Sequence, residues 1–150
     1  VPLLTGNGGA GLYDALAALA ARERFSIDRS ERPGENAAGF WQPSTRTIWV
    51  SPGLSADQAA KTLAHEIAHA FDPETGAYAE CRGERETFAE AVAYVVCERY
   101  GLDASERSIP YIAGWSRDTA TLKRALARVQ AVAHEIIRRL EPETAYEAAA

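Results

Sequence analysis

The stretch Thr62-Leu63-Ala64-His65-Glu66-Ile67-Ala68-His69-Ala70 decides the fold class and carries two of the three histidines in the chain. Residues four apart lie on the same face of a helix, so His65 and His69 can direct their imidazoles at one metal ion. Glu66 lies one step around that face, where its carboxylate can hold and deprotonate a metal-bound water. The alternative is a core helix that happens to carry two histidines. We favour the metal site and predict one zinc ion per chain, with Glu66 as the catalytic base.

The third protein ligand is expected on the following helix, which offers Glu84, Glu86 and Glu90. Glu86 and Glu90 are four residues apart and share a face. We predict that Glu86 binds the metal and that Glu90 accepts a hydrogen bond from a metal-bound histidine, although the reverse assignment stays open. Glu90 is surrounded by small apolar residues and therefore needs a partner, whereas Glu84 fits a solvated face. The remaining histidine, His134, is predicted to be a partly exposed residue of the last helix rather than a ligand.

The composition is typical of a globular domain, with 47 % apolar and 25 % charged residues. The net charge of -5 argues against a nucleic-acid partner for this domain alone and against an anionic membrane surface. No apolar run approaches the roughly 20 residues that span a bilayer. Two cysteines are too few for a disulfide framework, and the N-terminus shows no signal-peptide pattern. We therefore expect a cytoplasmic protein; the composition leaves its oligomeric state open.

The pattern of elements predicts one α+β domain over residues 1–150, mainly helical with a small antiparallel sheet. The chain begins at Val1 and contains no methionine, so we expect a piece excised from a longer protein. The predicted elements, in chain order, are a helix over Gly11–Arg24, a strand at Phe25–Ile27, a hairpin of Ala38–Trp41 and Thr47–Val50, a helix started by a Ser55–Gln58 capping box and ending near Phe71, a helix over Glu84–Tyr100 capped by Gly101, and a helix over Asp118–Leu140 followed by a frayed tail from Pro142. The stripe predicted to be buried on the last helix is Leu122, Leu126, Val129, Val132, Ala133, Ile136 and Leu140.

Two motifs make a family resemblance specific: His65-Glu66-Ile67-Ala68-His69 and Glu86-Thr87-Phe88-Ala89-Glu90. Together they resemble the His-Glu-x-x-His and Glu-x-x-Ala pattern of ImmA/IrrE-type metallopeptidases. The chain is most similar to the zinc-peptidase-like domain of ArdC-type antirestriction proteins and related polyvalent proteins. The resemblance implies a zincin-like fold of the gluzincin type, with His65, His69 and Glu86 as zinc ligands. Phe88 departs from the pattern, because related domains often carry an acidic residue there.

These features predict a zinc metallopeptidase that hydrolyses a peptide bond in a specific protein substrate. Tyr111 is a candidate for a donor to the oxyanion, and the alternative is that it packs against Trp115. The Thr47–Val50 strand is expected to hold an extended peptide by edge pairing. The rival hypothesis is a non-catalytic zinc-binding accessory domain of an antirestriction or DNA-associated protein. The arginines of the last helix, which form its cationic cluster, are predicted to be a solvated face: Arg124, Arg128, Arg138 and Arg139.

Overall fold

The computed structural model describes residues 9–72, 82–103 and 119–149, with side chains at 9–72, 85–103 and 123–141. Four helices and three strands form these ranges and confirm the α+β class. No helix within them has the length and apolar character needed to cross a membrane. The elements, in chain order, are α1 (Ala10–Arg22), β1 (Ser26–Asp28), β2 (Gly39–Gln42), β3 (Thr47–Val50), α2 (Ala56–Phe71), α3 (Arg82–Arg99) and α4 (Thr119–Ala149).

The sheet is mixed, whereas the sequence predicted an antiparallel sheet. The predicted hairpin is present, with β2 antiparallel to β3, but β1 pairs with the other side of β3 in parallel. The loop over 29–38 carries the chain from the end of β1 to the start of β2 at the same end of the sheet, so β1 and β3 run in the same direction. β3 is therefore the central strand, and the expectation that Thr47–Val50 is an edge was wrong. Full burial of Ile48 and Val50 fits that central place.

Helix α2 is the centre of the fold, because it packs on α1, on α3 and on the sheet. Alanines on several sides let these neighbours approach closely, while Leu63 and Ile67 are completely buried. Ser55 is the N-cap and accepts a 3.2 Å hydrogen bond from the Gln58 amide, as predicted. The Gln58 side chain also donates, through Nε2, to the Thr62 hydroxyl at 2.9 Å.

Helix α3 ends at the predicted glycine. Gly101 has a φ of +78°, and its N–H donates to the carbonyl of Glu98 while the N–H of Leu102 donates to that of Cys97. This is the Schellman arrangement, in which a left-handed residue ends the helix at little cost when it is glycine.

Helix α4 runs to Ala149, past the predicted end at Leu140 and through the tail that was expected to fray. Among its described residues, the buried stripe lacks one predicted member and has one that was not predicted. Leu126 is 48 % exposed, and Ala125 is buried instead. Ala125 lies four residues before Val129 and seven before Val132, so it shares their face, whereas Leu126 is turned about 100° from Ala125 and about 120° from Val132. The side chain of Leu122 lies outside the described residues.

Candidate metal centre

The two histidines of α2 face the N-terminal half of α3, where one carboxylate contacts both. The rings of His65 and His69 are 4.9 Å apart between centroids. Oε2 of Glu86 lies 3.2 Å from Nε2 of His65, and Oε1 lies 3.0 Å from Nε2 of His69. His69 is buried, while the Glu86 side chain is 46 % exposed, so the cluster is open to solvent on the Glu86 side. The fold thus brings the three predicted ligands together.

These separations fit a metal ion. Donors about 2.1 Å from a tetrahedral zinc lie about 3.4 Å from one another. The observed 3.0 and 3.2 Å separations between imidazole nitrogens and carboxylate oxygens are only a few tenths of an ångström shorter. His65, His69 and Glu86 would therefore hold the ion between α2 and α3. Their role as ligands stays a prediction.

The electrostatics of the cluster favour a cation between the helices. Burial alone would lower the pKa of His65, but short contacts with Glu86 and Glu90 outweigh it and raise that pKa to about 10. The same imidazole contacts hold the pKa of Glu86 well below its usual range. An imidazole that binds a metal must be neutral, so a metal ion would take the place of the proton on His65.

Glu66 lies beside the ligand cluster and is 4 % exposed. One oxygen of its carboxylate, one ring nitrogen of His65 and one ring nitrogen of His69 all lie within 4.8 Å of one another. Burial raises the pKa of Glu66, and the two nearby histidines only partly oppose that rise. A raised pKa suits a general base, which must both accept and return a proton near neutral pH.

Glu90 has the partner that its apolar surroundings demand. Its carboxylate is 4 % exposed and lies 2.9 Å from Nδ1 of His65, the ring nitrogen opposite the predicted metal-binding one. The ammonium of Lys61 lies 2.9 and 2.6 Å from the two oxygens of Glu90. Lys61 was not predicted from the sequence. Its position could have indicated its role, because it lies four residues before His65 and is followed closely by Leu63. A lysine buried in such a stretch needs a partner of opposite charge.

The apolar residue at position 88 belongs to a buried cluster. Phe88 is 1 % exposed, and the guanidinium of Arg128 lies 4.8 Å from the centre of its ring. Arg128 also bonds the completely buried carboxylate of Asp72, just beyond the end of α2, at 2.9 Å. This contact ties α4 to the end of α2, so the expectation that Arg128 belongs to a solvated face was wrong.

The other predicted residues lie away from the cluster or outside the description. His134 is exposed on α4, as predicted, while Arg138 and Arg139 both bond Glu135. Arg139 also pairs with Glu23, which follows the last residue of α1, so only part of the cationic cluster is a solvated face. Of the residues singled out from the sequence, Tyr111, Trp115 and the side chain of Glu84 lie outside the described residues.

Comparison with known proteins agrees with this geometry. Residues 22–119, about two thirds of the chain, match the family of the IrrE N-terminal-like domain, a metallopeptidase family. The chain belongs to this family. Membership implies a metallopeptidase-like domain and a metal, typically zinc. The chain is also 35 % identical over 81 residues to an uncharacterized protein of Bacillus anthracis; the match covers 51 % of this chain but 14 % of that protein, so the chain spans a small part of this relative. No solved structure matches the chain.

Proposed function

We propose that this chain is a zinc-dependent peptidase domain that hydrolyses a peptide bond in a specific protein, with His65, His69 and Glu86 as ligands. The observation that carries the proposal is the contact of one carboxylate with both Nε2 atoms, at 3.2 and 3.0 Å, beside a second, buried carboxylate at Glu66. Three donors that converge with one position left open are typical of catalytic zinc, whereas structural zinc is usually closed by four cysteines or histidines.

The two glutamates have separate roles in this proposal. Bound zinc would lower the pKa of a water ligand from about 16 toward about 7 and polarise the substrate carbonyl. Glu66 takes the proton of the attacking water and delivers it to the leaving amine, and its buried position keeps its pKa raised for both transfers. Glu86 is the ligand rather than the base because both of its oxygens are engaged by the imidazoles.

The substrate is proposed to lie along β2, which takes over the role that was expected of β3. β2 is an edge of the described sheet and runs close to the base, since a Cβ on Gly39 would lie 3.5 Å from Cγ of Glu66. An edge strand offers N–H and C=O groups to an extended peptide. A regulatory protein such as a repressor or a host defence protein is the class of substrate that the resemblance to ArdC-type and ImmA/IrrE-type proteins suggests.

The test compares Glu66→Gln with the matched surface variant Glu98→Gln, which removes an exposed carboxylate from α3. Cleavage of a library of internally quenched peptides is measured by fluorescence, and bound zinc by elemental analysis. Glu66→Gln should keep its zinc and lose activity by about 100- to 10,000-fold, the usual contribution of a general base. Glu86→Gln should lose zinc, and Glu98→Gln should change neither property.

Retained cleavage by Glu66→Gln would contradict the assignment of the base. Zinc bound by the wild-type chain, with no member of the library cleaved, would favour the non-catalytic accessory domain. Zinc bound equally by the wild type and Glu86→Gln would move the third ligand elsewhere, with Glu90 as the next candidate.

A further inference from the structure

A buried ion pair lies directly behind the predicted metal centre. Lys61 is 1 % exposed and Glu90 is 4 % exposed, and the lysine ammonium contacts both oxygens of the carboxylate at 2.9 and 2.6 Å. Lys61 belongs to α2, one helical turn before His65, while Glu90 belongs to α3, one turn after Glu86. The pair therefore joins the two helices that carry the predicted ligands.

Stability alone gives no reason for a lysine at this position. Two buried charges lose their hydration, and replacing such a pair with apolar residues of similar volume is often neutral or stabilising. The pair therefore needs another explanation, and the contact of Glu90 with His65 supplies one. Oε1 of Glu90, which Lys61 contacts at 2.9 Å, also lies 2.9 Å from Nδ1 of His65.

We propose that Lys61 is a positioning residue of the metal centre, which holds the Glu90 carboxylate against Nδ1 of His65 so that Nε2 of that ring is presented to the metal. The inference rests on the proposed zinc site. A neutral imidazole has one N–H, and the group that accepts from one nitrogen decides that the other carries the lone pair. Contact with both carboxylate oxygens holds Glu90 in place, 2.9 Å from Nδ1 of His65, which favours the tautomer that carries its proton on Nδ1.

The charges agree with this role. Glu66, Glu86 and Glu90 bring three carboxylates to the region, and Lys61 brings one ammonium. A divalent ion with neutral histidines makes the set neutral. Without Lys61, the loaded site would hold one uncompensated negative charge in a largely buried region, which is unfavourable.

The test uses Lys61→Met, Glu90→Gln and the double variant in the whole chain. Methionine has a similar length to lysine without its charge, and Lys123→Met on the exposed face of α4 is the matched control. Zinc affinity is measured by competition with a chromophoric chelator. The tautomer of His65 is read from the ring ¹⁵N shifts of the zinc-bound protein.

Lys61→Met should bind zinc about 10- to 100-fold more weakly than the wild type, the usual effect of losing a group that orients a metal ligand. The Nδ1–H signal of His65 should broaden through faster exchange with water. The double variant should bind zinc more tightly than Lys61→Met but less tightly than the wild type, because a neutral glutamine needs no counterion and can still accept from Nδ1–H. Lys123→Met should match the wild type in both measurements.

A merely structural lysine would give a different result. Wild-type zinc affinity and an unchanged His65 signal in Lys61→Met, with a lower free energy of unfolding, would overturn the inference. If Lys61→Met does not fold, the double variant decides, and zinc affinity equal to that of the wild type would overturn it. A wild-type chain that binds no zinc would overturn the proposed metal centre itself and this inference with it.

Discussion

The contact between β2 and α2 yields a quantitative prediction for Gly39→Ala. A Cβ at this position would lie 2.7 Å from Cγ2 of Thr62 and 2.7 Å from the carbonyl oxygen of Trp49. Both separations are far shorter than van der Waals contact. The Trp49 oxygen belongs to the backbone of the central strand, so it cannot move aside as the end of a side chain would. The methyl group must therefore push β2 away from α2, and with it the proposed substrate-binding edge.

The matched control is Gly53→Ala, where the added methyl meets no atom within 4 Å. Neither glycine has a positive φ, so alanine is not strained by its backbone at either position. Gly53→Ala should be neutral or stabilise the fold by up to about 1 kcal/mol, because it reduces the entropy of the unfolded chain. Overpacking at Gly39 costs about 1–3 kcal/mol, so its unfolding free energy should fall below that of the control by about this amount. In a protein of this size the difference corresponds to about 2–12 °C in Tm.

Urea unfolding followed by tryptophan fluorescence measures both variants under the same conditions. Gly39→Ala combined with Thr62→Ser should recover part of the loss, since serine lacks the clashing Cγ2 but keeps the hydroxyl that accepts from Gln58. Equal unfolding free energies for Gly39→Ala and Gly53→Ala would refute the close approach of β2 to α2. No recovery in the double variant would place the whole clash on the Trp49 backbone.

Two further predictions concern buried groups outside the metal centre. Burial raises the pKa of the Cys97 thiol to about 12, so at pH 8 only about one molecule in ten thousand carries the thiolate. In a Cys81→Ser background native Cys97 should resist iodoacetamide, and labelling at the rate of an ordinary cysteine, detected by mass spectrometry, would contradict its burial. Arg128→Met leaves the completely buried Asp72 carboxylate without its guanidinium and should lower the unfolding free energy by about 3 kcal/mol. Arg138→Met, which removes a side chain that is 63 % exposed, should change it by less than about 0.5 kcal/mol; equal effects of the two arginine variants in urea unfolding would refute the buried pair.

Features set by neighbouring residues could be predicted from the sequence. The spacing of His65 and His69, the Ser55 cap of α2 and the glycine that ends α3 all follow from contacts within one or two helical turns. The antiparallel pairing of β2 with β3 follows from a short turn. For the same reason, the need of Glu90 for a partner could be stated, because its apolar neighbours are visible in the sequence.

The tertiary structure decided which distant groups meet. β1 pairs with β3, and so makes β3 the central strand, through residues about 20 positions apart. The Lys61–Glu90 pair joins residues about 30 positions apart, and the Asp72–Arg128 pair joins residues farther apart still. Local propensity carries no information about such contacts, since they depend on how whole elements pack. The sequence by itself determined that α2 presents two histidines and a glutamate. Only the packing of α3 against α2 brought Glu86 to the imidazole Nε2 atoms and Glu90 to Nδ1, because the crossing of two helices sets which turn of one faces which turn of the other.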